Sequence, residues 1–196
     1  MNFAPPKCRG SAAVEFAILL PLLLLLALAL VDIGRAIQVN LVLINLSREG
    51  ANVASRGNQL NSASSQALMN ALASTTPPLR MQTRGMIYIS KIMGHMQNGA
   101  VRNVILEQYR WEGNSSFAPP STVWNCGAWS NNQCSEIPPN PDNAATASAM
   151  PGLLADGEVI YAVETFYNFD MLFSNWNVGF GPMEQIGPVM YAKTIF

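Results

Sequence analysis

The spacing of hydrophobic and polar positions changes along the chain, and each change predicts a new element. From Ser11 to Val31 there is no alternation at all: the run is apolar, and Glu15 is its only ionisable side chain. About 21 residues of helix span roughly 30 Å, the thickness of a bilayer's hydrocarbon core, so this segment is expected to cross a membrane. Pro21 removes one backbone hydrogen bond within it, which membrane helices tolerate. A carboxylate in such a run costs a few kcal/mol, so Glu15 calls for a partner or a function. From Asp32 to Arg56 the helix is expected to continue with a three-four period. Ile33, Ile37, Leu41 and Ile44 form an apolar stripe; Gln38, Asn45 and Asn52, with Glu49 and Arg56, fall on another side. The stripe should pack on a globular domain or on a neighbouring subunit. Gly57-Asn58 supplies a helix stop.

Ser62 to Ser74 predicts a second, shorter helix, with Ala67, Leu68, Ala71 and Leu72 on one side and Asn61 or Ser62 as its N-cap. Pro77-Pro78 closes it. Beyond, the period falls to two. Met86 to Ile92 predicts a strand, Asn98-Gly99 a turn, and Val101 to Trp111 a second strand, together a hairpin. Gly113 to Gly157 is long and irregular, rich in Pro, Asn and Ser, with a helical turn expected over Ala144 to Met150. Its tryptophans, Trp124 and Trp129, are candidates for an exposed binding face. Glu158 to Phe169 is the clearest strand, Met171 to Gly187 an aromatic, Gly-rich loop on the sheet or the membrane surface, and Pro188 to Phe196 a last strand.

Composition narrows the functional classes. Charged residues make up 12% of the 196, and the formal net charge is −1. No basic patch is evident, so nucleic acid is not an expected partner. The single histidine, His95, is expected in a surface turn rather than in a catalytic site. Cys126 and Cys134, with seven residues between them and no second pair, do not form a zinc pattern. Gly179-Phe180-Gly181-Pro182 is too short for a phosphate loop. Asp156, Glu158 and Glu164 are expected to be solvated. Asn114-Ser115-Ser116 matches a glycosylation sequon, a pattern common by chance. No enzyme activity and no cofactor are expected. Lys7 and Arg9 precede the apolar run, which by the positive-inside rule puts the N-terminus in the cytoplasm and the rest of the chain, after Val31, outside.

The stretch Gly10-Ser11-Ala12-Ala13-Val14-Glu15-Phe16 resembles the class III signal of prepilins, which a peptidase cuts after the glycine, leaving glutamate as the fifth residue. A small residue after the glycine, then Glu-Phe and a Leu-rich run holding one proline, is more similar to the TadE/TadF pseudopilins of the tight-adherence (Tad, Flp-type) pilus. Asp32-Ile33-Gly34-Arg35 also resembles the end of the TadE-like segment. The resemblance covers about the first 55 residues. It implies a leader over 1–10, a cleaved bond between Gly10 and Ser11, a transmembrane helix over 11–31, an amphipathic extension over 32–57 and a periplasmic α+β domain over 58–196. That domain would be a small antiparallel sheet with the irregular loop 113–157. Cys8 would leave with the leader, so Cys126 and Cys134 remain as an even pair; joined, they would close a short loop and contribute roughly 2–3 kcal/mol.

The implied function is that of a non-catalytic minor pilin or pseudopilin of the inner membrane, aiding initiation or assembly of a Tad-type pilus. Its partners would be a prepilin peptidase, other pilins, the assembly platform and the lipid bilayer. Glu15 and Phe16 would act in assembly, Glu15 by pairing with the Ser11 ammonium of a neighbour. The alternatives are a membrane-anchored periplasmic binding protein and a minor pseudopilin of type II secretion or of a conventional type IV pilus. An ordinary signal peptide cut near Ala27-Leu28-Ala29 is opposed by Glu15, by the length of the run and by the helix that continues through Asp32.

Overall fold

The computed structural model describes residues 11–57, 60–114, 116–172 and 188–196. Helix α1 (Ser11–Arg56) runs for 46 residues straight through Pro21, about 69 Å end to end. Helix α2 (Ser62–Ser74) follows, capped by Asn61, whose side chain accepts the Ser64 N–H at 2.8 Å while Ser64 Oγ accepts the Asn61 N–H at 2.9 Å. A single turn, α3 (Met81–Arg84), leads into the sheet. The six strands are β1 (Gly85–Gln97), β2 (Ala100–Arg110), β3 (Trp129–Ser130), β4 (Gln133–Cys134), β5 (Val159–Asn168) and β6 (Val189–Ile195). They form one antiparallel sheet in the order β3-β4-β2-β1-β5-β6. The α+β architecture is therefore the one the sequence predicts.

The predicted hairpin is β1–β2. Asn98 and Gly99 take φ of 50° and 81°, and Gln97 faces Ala100 across the turn. Both residues tolerate this left-handed backbone, and such two-residue turns match the twist of the strands they join.

The sheet is apolar on both faces, and each face has its own cover. On one lies the second half of α1, along β5 and β6. Thr165 Oγ1 donates to the Leu43 carbonyl at 3.2 Å, and the hydroxyls of Ser47 and Thr194 meet at 2.9 Å. Leu43, Leu46, Ala51 and Ala54 fill this core with Ile89 and Val163. At Gly50 a Cβ would sit 2.9 Å from a Leu72 methyl and 3.1 Å from one of Val163, so glycine is what lets the helix come this near. On the other face the segment 113–157 spreads over the sheet, packing Val123 and Ala147 on Ile92, Ile105 and Ala162. The irregular segment is thus the second layer of the domain.

Several expectations need correction. The stripe of α1 that meets the domain is Val39, Leu43, Leu46, Gly50 and Ala54. Ile33, Ile37 and Leu41 stay outside, at 57%, 56% and 55% exposure. Both stripes are apolar, but only the buried one carries the small residues that allow close approach. On α2 the buried face is Ser65, Gln66, Met69 and Leu72, with Ala67 and Ala71 outward; Met69 and Leu72 hide more apolar surface than alanines would. Ala144 to Met150 is not helical. β4 pairs with β2 only at Tyr109, and the exposed edge of β2 draws the segment in: Ile105 N–H donates to Ala145 O and Ala147 N–H to Asn103 O. A 3-10 turn forms just before it, at Pro141–Asn143. His95 lies within β1, opposite Arg102, and not in a turn. The leader 1–10, with the Gly10 side of the expected cut, lies outside the described residues, as do Asn58, Ser115 and positions 173–187 of the aromatic loop, Gly179-Phe180-Gly181-Pro182 included.

Candidate functional site

The surface most exposed to partners is α1 itself. From Ala13 to Leu26 every residue is exposed, Phe16 at 60%, and Glu15 lies on this same surface. By length and composition this half of the helix is apolar enough to cross a membrane. Beyond Val31 the exposed apolar surface does not stop: Ile33, Ile37 and Leu41 extend it as a ridge, while the opposite stripe dives into the domain. The ridge ends at Arg48, and Gln38, Asn45, Glu49, Asn52 and Arg56 occupy the exposed polar side as the sequence predicts.

The helix is tied to the domain at the level where its apolar run ends. Asp32 is buried, and its carboxylate accepts the Leu172 N–H at 3.0 and 3.2 Å and pairs with Arg35 at 2.9 Å. The Arg35 guanidinium lies over the Phe169 ring, 5.4 Å from its centre. A carboxylate at the end of an apolar helix would otherwise be solvated. Here it anchors the chain segment that leaves β5.

Cys126 and Cys134 are joined in a disulfide, with Cα atoms 6.0 Å apart. The bridge closes the small hairpin β3–β4, whose tip residues Asn131 and Asn132 take φ of 47° and 60°. Glu136 stands beside it and accepts the Gly127 N–H at 2.8 Å. With both sulfurs in the bridge, the Cys126, Cys134 and Glu136 group has no thiolate to offer a metal. The tryptophans do not form an exposed face. Trp129 is sandwiched, with the Arg110 guanidinium 5.0 Å over its ring and Tyr88 at 5.9 Å. Trp124 packs with Ile137 and Leu154 against the second core.

Two side-chain clusters were not visible in the sequence. Glu164, expected to be solvated, has no exposed surface. Its carboxyl oxygens accept from the Ser121 hydroxyl, from Thr122 N–H at 2.9 Å and hydroxyl at 2.6 Å, and from Tyr191 at 2.9 Å. Gln108 stands beside it, donating to Ser90, Ser121 and the Trp124 carbonyl at 3.2, 3.0 and 2.9 Å. The cluster fastens the covering segment to the sheet. His95 Nε2 lies 2.7 Å from Asp142, whose carboxyl is held below the usual range chiefly by this hydrogen bond. The pair joins β1 to the 3-10 turn. Three tyrosine phenols are pushed upward, each chiefly by burial: Tyr88 to about 12, Tyr109 with its hydrogen bond to Glu107 as a second cause, and Tyr191 with Glu164 adding to the rise.

These clusters hold the domain together; the exposed helix is what remains open to partners. No curated protein and no solved structure matches the chain. Residues 10–52 match the model of the family described as TadE-like protein. The match covers the expected Ser11 start, Glu15, the ridge and most of the stripe on which the domain is built, so the N-terminal helix is similar to that of TadE-like proteins.

Proposed function

We propose that this chain is a minor pilin or pseudopilin of a Tad-type pilus, acting without catalysis in the initiation or assembly of the filament. The observation that carries the reading is the TadE-like helix whose first-half apolar run, continued by Ile33, Ile37 and Leu41, is exposed. In this reading the chain is made as an inner-membrane precursor and a prepilin peptidase cuts between Gly10 and Ser11. The helix stays in the bilayer with the domain on the periplasmic side. The ridge Ile33, Ile37 and Leu41 lengthens the helix–helix seam beyond the membrane. Glu15 of one subunit pairs with the new Ser11 ammonium of the next. Such a pair in a low-dielectric site sets axial register more than net stability, because desolvation offsets most of the attraction.

Intact mass and N-terminal sequencing of the membrane-extracted protein, with and without a prepilin peptidase, test the reading. A new N-terminus at Ser11 only when the peptidase is present is the expected outcome; Met1 retained in both would turn the reading to a membrane-anchored binding protein. In processed material, Glu15→Ala should leave membrane insertion intact and reduce copurification with other pilus subunits. Unchanged copurification would remove the pairing.

A further inference from the structure

At the foot of the domain, where α1 leaves its apolar run, a cavity of about 760 Å³ opens between the helix, α3 and the end of β5. Three of its lining residues are arginines: Arg35 on α1, Arg80 before α3 and Arg84 at its end. Arg35 pairs with Asp32, and Arg84 pairs with Asp170 at 2.9 Å. Arg80 faces no acid among the described residues. Among the described residues, three guanidinium groups here meet two carboxylates, an excess of one positive charge. Val39, Leu79 and Phe169 supply apolar wall between them.

The height of this cavity is set by the helix. Arg35 lies four residues past Val31, about 6 Å further along the axis. A bilayer's polar layer adds roughly 5–7 Å outside each face of its hydrocarbon core. The bond from Leu172 to Asp32 brings the end of the β5 strand's outgoing segment to the same level. Two apolar side chains at this foot, Leu172 and Val189, are about half exposed. Arginines interleaved with exposed apolar residues, one turn above a membrane helix, are the composition of an interfacial surface.

From this juxtaposition we infer that the cavity of Arg35, Arg80 and Arg84 holds the phosphate of an anionic phospholipid from the leaflet on the domain's side. A monoanionic phosphodiester matches the excess of one positive charge among the described residues, and the planar guanidinium fork matches its paired oxygens. The lipid would fix the domain's height and lean against the bilayer. The inference rests on the reading that α1 spans a membrane.

The test uses the full chain in nanodiscs holding phosphatidylcholine and phosphatidylglycerol in equal amounts, with native mass spectrometry counting the lipid retained on release. Phosphatidylglycerol is expected to stay preferentially. Arg80→Gln should weaken its retention roughly fivefold, the effect of one basic residue at a charged membrane surface. Arg48→Gln, further up α1, should not change it. Arg80 has no ion-pair partner among the described residues, so its substitution should leave the thermal transition in place. Equal retention of the two lipids, or full retention by a folded Arg80→Gln variant, overturns the site. Displacement by millimolar inorganic phosphate as readily as by the lipid makes it a free-anion site and overturns the lipid assignment. Loss of copurifying pilus subunits in Arg80→Gln with no change in lipid makes it a protein contact and overturns it too. Carbonate extraction separates the two readings: a chain washed off the membrane refutes the span, whereas one that stays without selective lipid refutes only the site.

Discussion

Glu164 shows how much one residue can decide. It sits in the strand with apolar neighbours on both faces, and it is the acceptor that fastens the segment 113–157 to the sheet. Glu164→Ala would leave the buried Ser121 hydroxyl without its acceptor and remove the partner of the Thr122 N–H. A buried group left so costs about 1–3 kcal/mol, so the denaturant midpoint should fall clearly in urea titrations of the detergent-solubilised protein. A midpoint within error of wild type would mean that the cluster holds nothing. Nothing in the sequence marked this residue, because period-two patterning assigns faces and cannot tell a covered face from a wet one. His95 and Asp142 were equally out of reach: their partnership crosses 47 positions of chain. Cys126 and Cys134 were legible, since each stands out against its local composition and they are joined.

Among the elements, α1 was read correctly in extent and wrongly in facing. Its length follows from a long run of mostly helix-forming residues, which tolerates Pro21, and a stop at Gly57. Its buried face depends on Gly50, Ala51 and Ala54, whose small size matters only once a sheet is there to approach. The same logic predicts the result of enlarging that contact. Gly50→Leu places a branched side chain where a single Cβ already meets Leu72 and Val163 at 2.9 and 3.1 Å. Overpacking of this kind costs about 1–3 kcal/mol, and the helix should be levered from β5. Thermal unfolding monitored by circular dichroism is the check; an unchanged or raised midpoint would show that the helix rides loosely on the sheet. By contrast, β2, β5 and β6 match the sequence pattern to within a residue at each end, while β1 runs five residues past the expected Ile92 and the short β3 and β4 carry no such signal. Alternation and the Asn98-Gly99 turn are local signals, and no tertiary choice competes with them.

At the scale of the whole molecule, three tyrosines, two of them buried, tie the layers together, and they give stability a defined alkaline limit. Tyr88 donates to the Pro119 carbonyl at 2.7 Å and Tyr109 to the Glu107 carboxylate at 2.7 Å, while Tyr191 reaches Glu164. Unfolded, each phenol ionises near its ordinary value of 10; folded, Tyr88 holds its proton to about 12, and the other two are raised as well. The unfolded chain therefore binds fewer protons above pH 10, and stability falls as pH rises. The contribution is fully present below pH 10 and is lost as pH rises through 12. Urea midpoints should be flat from pH 8 to 10 and drop by pH 11.5; a flat profile to 11.5 would mean that the phenols titrate equally in both states. Asp142 works in the opposite sense, its contribution present above the usual carboxylate range near 3.8 and lost below it.

One consequence of α1 concerns bearing rather than binding. The same unbroken helix is an exposed rod in its first half and a wall of the domain in its second, with no linker between them. The domain therefore has no swivel. Turning the rod about its axis by one residue's step, 100° of arc, would carry the whole sheet round with it. A neighbour that grips the lower half also chooses the compass direction in which the disulfide-closed hairpin points, and every subunit gripped alike must face alike.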